Sequence, residues 1–176
     1  MRVKPLIAIP LIAIALAGCS AQPPAPKETA AATEQKPLFA TDAEALAAAE
    51  AAYANYLEVS DQIARDGGAN PERLKGIVSD QLYKESSDVF ITYLTNSINV
   101  DGSTSFDSLH VADISSTAAT FYVCLDVSGT NLLSADSEIV TPQNRQSRLP
   151  IVFGVSKTGE KFKIESSEVW SGRNYC

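Results

Sequence analysis

Tyr122, Cys124 and Asp126 fall at alternate positions of one apolar run, Phe121-Tyr122-Val123-Cys124-Leu125-Asp126-Val127. A strand there puts a phenol, a thiol and a carboxylate on one face, because side chains at i, i+2 and i+4 point the same way. In an apolar pocket a Tyr and an Asp could serve as hydrogen-bond donor and general base, the chemistry of isomerases. The same residues also suit structural work, with the carboxylate bonded to turn amides and the phenol packed, and the structural reading is favoured. His110 is the only histidine, so acid-base work near neutral pH that needs an imidazole would fall on it. Its neighbours Leu109, Val111 and Asp113 suggest a strand surface. Val127-Ser128-Gly129 lacks the Gly-x-Ser-x-Gly elbow of a serine nucleophile, so a hydrolytic triad is not expected. HExxH, paired CxxC, P-loop and GxGxxG patterns are all missing, so no metal or cofactor is expected and no catalytic residue is assigned.

The remaining cysteines carry more information. Leu16-Ala17-Gly18-Cys19 ends a short apolar run that follows Arg2 and Lys4 and is broken by Pro10, with Ser20, Gln22 and a Pro-rich stretch directly after it. The run is too short to span a bilayer. Together these residues resemble a bacterial lipoprotein signal peptide with its lipobox. The resemblance implies that residues 1–18 are removed and that Cys19 carries diacylglycerol. The protein would then be anchored by lipid to the outer face of the cell membrane, since two acyl chains bury enough methylene to hold it there. With Cys19 so assigned, Cys124 and Cys176 are left. An exported chain with an even remainder of thiols reads as one disulfide, favoured over free thiols or a metal pair because the close His and Cys neighbours of a zinc site are missing.

Residues 19–40 contain many Ala, Pro, Thr and Gln and few large apolar side chains, the composition of a flexible spacer. A single domain is expected over residues 41–176. Thr41-Asp42-Ala43-Glu44 has capping-box spacing, and Leu46, Ala49, Tyr53, Tyr56, Leu57, Val59 and Ile63 recur at three- and four-residue steps up to Gly67-Gly68. One long amphipathic helix over about 42–66 follows. Asn70-Pro71 predicts a second, short helix to about Val78, with Asn70 as its cap, and Ser79-Asp80 opens a third that closes at 99–102. The first half is thus expected to hold no strand. Beyond Gly102 the period changes to two. Strands are expected over 106–114, 118–127, 139–140, 149–156 and 161–170, with turns at Gly129, Asp136-Ser137 and Thr158-Gly159-Glu160. Strands joined by such short turns must pair antiparallel, which gives an α+β fold.

Helices followed by a bent antiparallel sheet resemble the NTF2-like, or cystatin-like, cone fold. The Tyr122-Val123-Cys124-Leu125-Asp126-Val127-Ser128 strand, with Trp170 close to Cys176 at the end, resembles small lipoproteins of actinobacteria. That resemblance covers residues 41–176 and implies fold and anchor, not an activity, because NTF2-like folds host isomerases, dehydratases and non-catalytic modules. The net charge of −7 argues against nucleic acid as a partner. Two functions stay open. The first is a non-enzymatic binding or accessory module of the cell envelope, acting on a protein or small ligand; the second is a pocket enzyme of isomerase or hydrolase type built on Tyr122, Asp126 and His110.

Overall fold

The computed structural model describes residues 36–176. Cys19, the expected signal peptide and most of the expected spacer lie outside the described residues. The helical half begins at α1, Asp42–Arg65. Thr41 accepts a hydrogen bond from the Glu44 amide at 3.2 Å, while Glu44 reaches back one residue further than a standard box, accepting from the Ala40 amide at 3.0 Å. Gly67 and Gly68 end the helix at φ +67° and +83°. At Gly68 glycine is required twice over, since a Cβ there would sit 2.0 Å from the Phe90 carbonyl oxygen of the next helix. That helix, α2, spans Asp80–Asn96, with Ser79 accepting from the Leu82 amide and donating to the Glu165 carbonyl.

The expected short helix between them is smaller than its sequence suggests. It is a single 3-10 turn, Pro71–Leu74, and Asn70 stands in the left-handed region without a side-chain cap. Gly76 at φ +85° turns the chain, and Val78 is drawn into a parallel bridge with Ile164. Paired backbone there wins over helix propagation, with Ile164 donating to Ile77 at 3.0 Å and Ser79 donating to Ile164 at 2.9 Å.

Residues 99–102, expected to close a helix, form strand β1, Asn99–Gly102. It pairs antiparallel with β4, Thr130–Leu133, a strand not expected from the sequence. Residues 139–140 make only a bridge from Ile139 to Leu133, and a bond from the Val140 amide to Leu132. The main sheet is antiparallel throughout, in the order β2 (Ser105–Ile114), β3 (Ala118–Asp126), β5 (Arg148–Thr158), β6 (Lys161–Val169). Helices packed on antiparallel sheets make this an α+β fold. Helix α1 lies against β1, β2 and β6, and α2 against β6. Phe121, Val123, Ile151, Phe153, Val155 and Ile164 point into this layer and are buried. Tyr53 anchors the contact, stacking on Phe153 at 4.3 Å and meeting Phe106 edge-on at 5.2 Å. Among the described residues no helix is long and apolar enough to cross a membrane.

Candidate functional site

The sheet's other face belongs to Tyr122, Cys124 and Asp126, as their alternation requires, and the end of the chain covers it. Cys124 and Cys176 form a disulfide that spans 52 residues with Cα atoms 5.5 Å apart. Two further contacts hold the tail down. The Trp170 amide donates to the Pro150 carbonyl at 2.7 Å. The Tyr175 hydroxyl donates towards the carbonyls of Ile151 at 2.9 Å and Val123 at 3.2 Å. Burial raises the Tyr175 pKa above the usual phenol value. Thus Cys124 is buried although it lies on the face away from the helices.

Between tail and sheet lies a cavity of about 360 Å³ lined by Ser108, His110, Tyr122, Trp170 and Tyr175. Trp170 meets Tyr122 at 5.3 Å and 73°, and Tyr175 meets it at 5.8 Å and 70°. His110 reaches this face through an irregularity that simple alternation could not foretell. Asp107 opposes Cys124 and His110 opposes Tyr122, so β2 spends one extra residue across this interval. Ser108, at φ +57°, takes up that bulge. Asp107 and His110 therefore share a face despite their odd spacing. The structure brings Tyr122 and His110 into one cleft.

Asp126 does not line that cleft. It sits at the strand end, opposite Arg148, accepting from the Ser128 amide at 2.8 Å and from Arg148 at 3.2 Å. Arg148 also holds Asp107 through two 2.8 Å contacts. Hydrogen bonds from Ser128 chiefly, then Arg148, hold the Asp126 carboxyl below its usual range, and Arg148 followed by Ser108 does the same for Asp107. A carboxylate so stabilised is a poor proton acceptor.

A second, inner cleft of about 460 Å³ opens between the helices and the β1–β4 ribbon, and its polar residues went unnoticed in the sequence. Asp61, 9% exposed, accepts from the Thr104 amide at 2.8 Å and from its hydroxyl at 3.1 Å. Arg145 donates to the carbonyls of Val127 and Thr130 at 2.8 and 2.7 Å. Burial raises the pKa of Tyr93 beside them, and the Arg145 charge opposes that shift. An acidic residue on the buried stripe of α1, between Leu57 and Ala64, was the signal available for Asp61. Arg145 lies in a loop without any pattern. Among the described residues no group of three or more His, Cys, Asp or Glu could hold a metal ion.

No family model matches the sequence, and no curated protein sequence does. Among solved structures, the chain is similar to the intermembrane space region of the chloroplast protein ARC6, with 15% identity, a TM-score of 0.52, and coverage of 72% of this chain and 97% of that one. A fainter likeness, with 13% identity, a TM-score of 0.42 and coverage of 73% and 91%, is to the Kfla4162 protein from Kribbella flavida. At 15% identity the likeness to the first of these speaks for the α+β fold alone.

Proposed function

We propose that the protein is a lipid-anchored, extracytoplasmic lipoprotein whose NTF2-like domain works as a non-enzymatic binding module of the cell envelope. The supporting observation is the tail stapled by Cys124–Cys176, which builds an open aromatic cleft on a face that the helices leave free. A disulfide suits an oxidising compartment, in keeping with export, and the lipobox-like Leu16 to Cys19 segment supplies the anchor. The groups offered for general-base chemistry are spread apart. Asp126 is engaged by Arg148 and Ser128, outside the cleft that holds Tyr122 and His110.

The enzyme alternative of isomerase or hydrolase type, built on Tyr122, Asp126 and His110, keeps only Tyr122 and His110 in one cleft, and in the inner cleft both Asp61 oxygens already accept from Thr104. Two measurements test the proposal. Wild type is expected to enter the detergent phase on partitioning and Cys19→Ala to stay in the aqueous phase; equal partitioning would overturn the anchor. Envelope fractions crosslinked to the anchored protein should lose their bound material with Tyr122→Leu. A turnover found by substrate screening and abolished by Asp61→Asn or Asp126→Asn, with folding intact, would overturn the binding reading.

A further inference from the structure

We propose that the outer cleft binds an organic cation, specifically a quaternary ammonium head of the choline type, against the rings of Tyr122, Trp170 and Tyr175. This names the ligand class of the binding module proposed above and rests on that reading. The first argument is ring geometry. Two aromatic side chains stand at 73° and 70° to Tyr122 around a single cavity, so ring surfaces border it from more than one direction. The negative face of an aromatic ring attracts a cation within about 6 Å of its centroid, and a methylated ammonium suits such a site because it sheds its water readily. Trp170 and Tyr175 remain 36% and 40% exposed, so this aromatic surface is available from solvent.

Charge points the same way. Neither Lys nor Arg lines the cleft. Arg148, on the same face, is taken up by Asp107 and Asp126, and Arg173 in the tail is not a lining residue. Register places His110, Tyr122, Val152 and Glu168 in one row across the sheet. Glu168, exposed and without an ion pair among the described residues, stands on that row two strands from Tyr122, beside the cleft and not in its lining. The whole chain carries −7, a field that concentrates cations and repels anions. An anionic ligand would find no Lys or Arg lining the cleft.

The walls are fixed before any ligand arrives. The disulfide, the Trp170 amide bond to Pro150 and the Tyr175 hydroxyl bonds to the sheet pin both ends of the tail. Gly172 shapes the segment between them, because a Cβ there would lie 2.2 Å from the indole nitrogen of Trp170. Pre-ordered rings lose little freedom on binding, which favours a small ligand that makes few contacts.

Trp170 is the only tryptophan, so the intrinsic fluorescence of the full-length protein reports from the cleft itself. In a maltoside detergent at constant ionic strength, choline chloride should give a saturable change that sodium chloride does not. The neutral isostere 3,3-dimethylbutan-1-ol should bind about three- to tenfold more weakly, the span expected for a cation-π contribution. Glu168→Gln should weaken choline binding without altering the melting temperature, and Tyr122→Leu should abolish it. Soluble choline and vesicles bearing phosphocholine headgroups form separate arms, and saturation in either supports the assignment while telling a free cation from a lipid headgroup.

Equal response to the neutral isostere, a response to methyl glucoside in place of choline, an unchanged affinity in Glu168→Gln, or no saturable change in either arm overturns the cation site. If the cation site fails while capture of envelope material still depends on Tyr122, the ligand class is wrong and the binding module stands. If that dependence is missing too, both fall.

Discussion

The two faces of the four-stranded sheet are made by alternate residues of the same strands, yet they are closed by different means. On the inner face Phe121, Phe153, Val155 and Ile164 disappear beneath α1 and α2. On the outer face a short tail, carrying Trp170 and Tyr175, is held by one covalent bond and a few hydrogen bonds. Burying large apolar side chains against helices makes a cooperative core whose parts cannot be altered singly. A stapled tail closes its face incompletely and leaves a cleft. The inner face thus builds the apolar core, while the outer face, stabilised by its staple, is left free to carry the proposed site.

This contrast is sharpest in what each face loses when its central group is removed. Phe153 is fully buried, stacked on Tyr53 at 4.3 Å and on Phe121 at 5.3 Å. Phe153→Ala removes the ring and leaves a cavity that rigid neighbours cannot fill, and is expected to cost about 3–5 kcal/mol in urea unfolding. The outer cleft should change little in the protein that remains folded. A loss of Trp170 fluorescence response without global destabilisation would break the separation of the two faces.

On the outer face the corresponding change is Cys176→Ser. Opening a loop of 52 residues' separation should cost about 4 kcal/mol in the chain-entropy treatment. The core should survive it, so far-ultraviolet dichroism stays native while Trp170 emission moves to the red as the tail lifts from Tyr122. A melting temperature equal to wild type under oxidising conditions would show that the staple contributes nothing. Tyr175→Phe tests the tail more gently. Losing the bonds to Ile151 and Val123 removes a net contribution of about 1 kcal/mol, measurable by denaturant midpoint, with the disulfide still formed.

The division between the faces also explains what could be read in the sequence. The helical stripe of α1 and the alternation of β3 were legible because each repeats a period over many residues. The Cys124 to Cys176 pairing followed from counting thiols in a chain read as exported. Strands β1 and β4 were not legible: four residues each, they are defined by pairing with one another across some thirty residues of sequence, and Asn99 to Gly102 reads locally as a helix stop. Asn70 carried cap chemistry, but the turn at Gly76 and the bridge from Val78 to Ile164 decided that segment. At the site, Tyr122 was placed by periodicity, whereas His110 owes its position to a bulge at Ser108. The role of Trp170 depended on the tail folding back.

The smallest effect expected lies at the rim of the outer face, where Arg148 joins Asp107 to Asp126. Both carboxyls are held below their ordinary value of 3.8 in the folded protein, Asp126 mainly by Ser128 and Asp107 mainly by Arg148. A folded-state pKa that is depressed means that the unfolded chain binds protons first as pH falls. The stabilisation is therefore complete at pH above the ordinary carboxylate range and is lost as pH drops through the depressed folded values. Asp107 is exposed and Asp126 and Arg148 are only partly buried, so the contribution is small and screened by salt. Arg148→Gln should lower the melting temperature slightly at neutral pH and low salt, and the gap to wild type should close in acid. Because Asp126 keeps its Ser128 bonds, the variant's outer cleft should retain its ligand response. A gap that persists after both carboxyls are protonated would show that the guanidinium acts by packing over the strands, which would make the rim part of the sheet's closure and not an electrostatic clasp beside it.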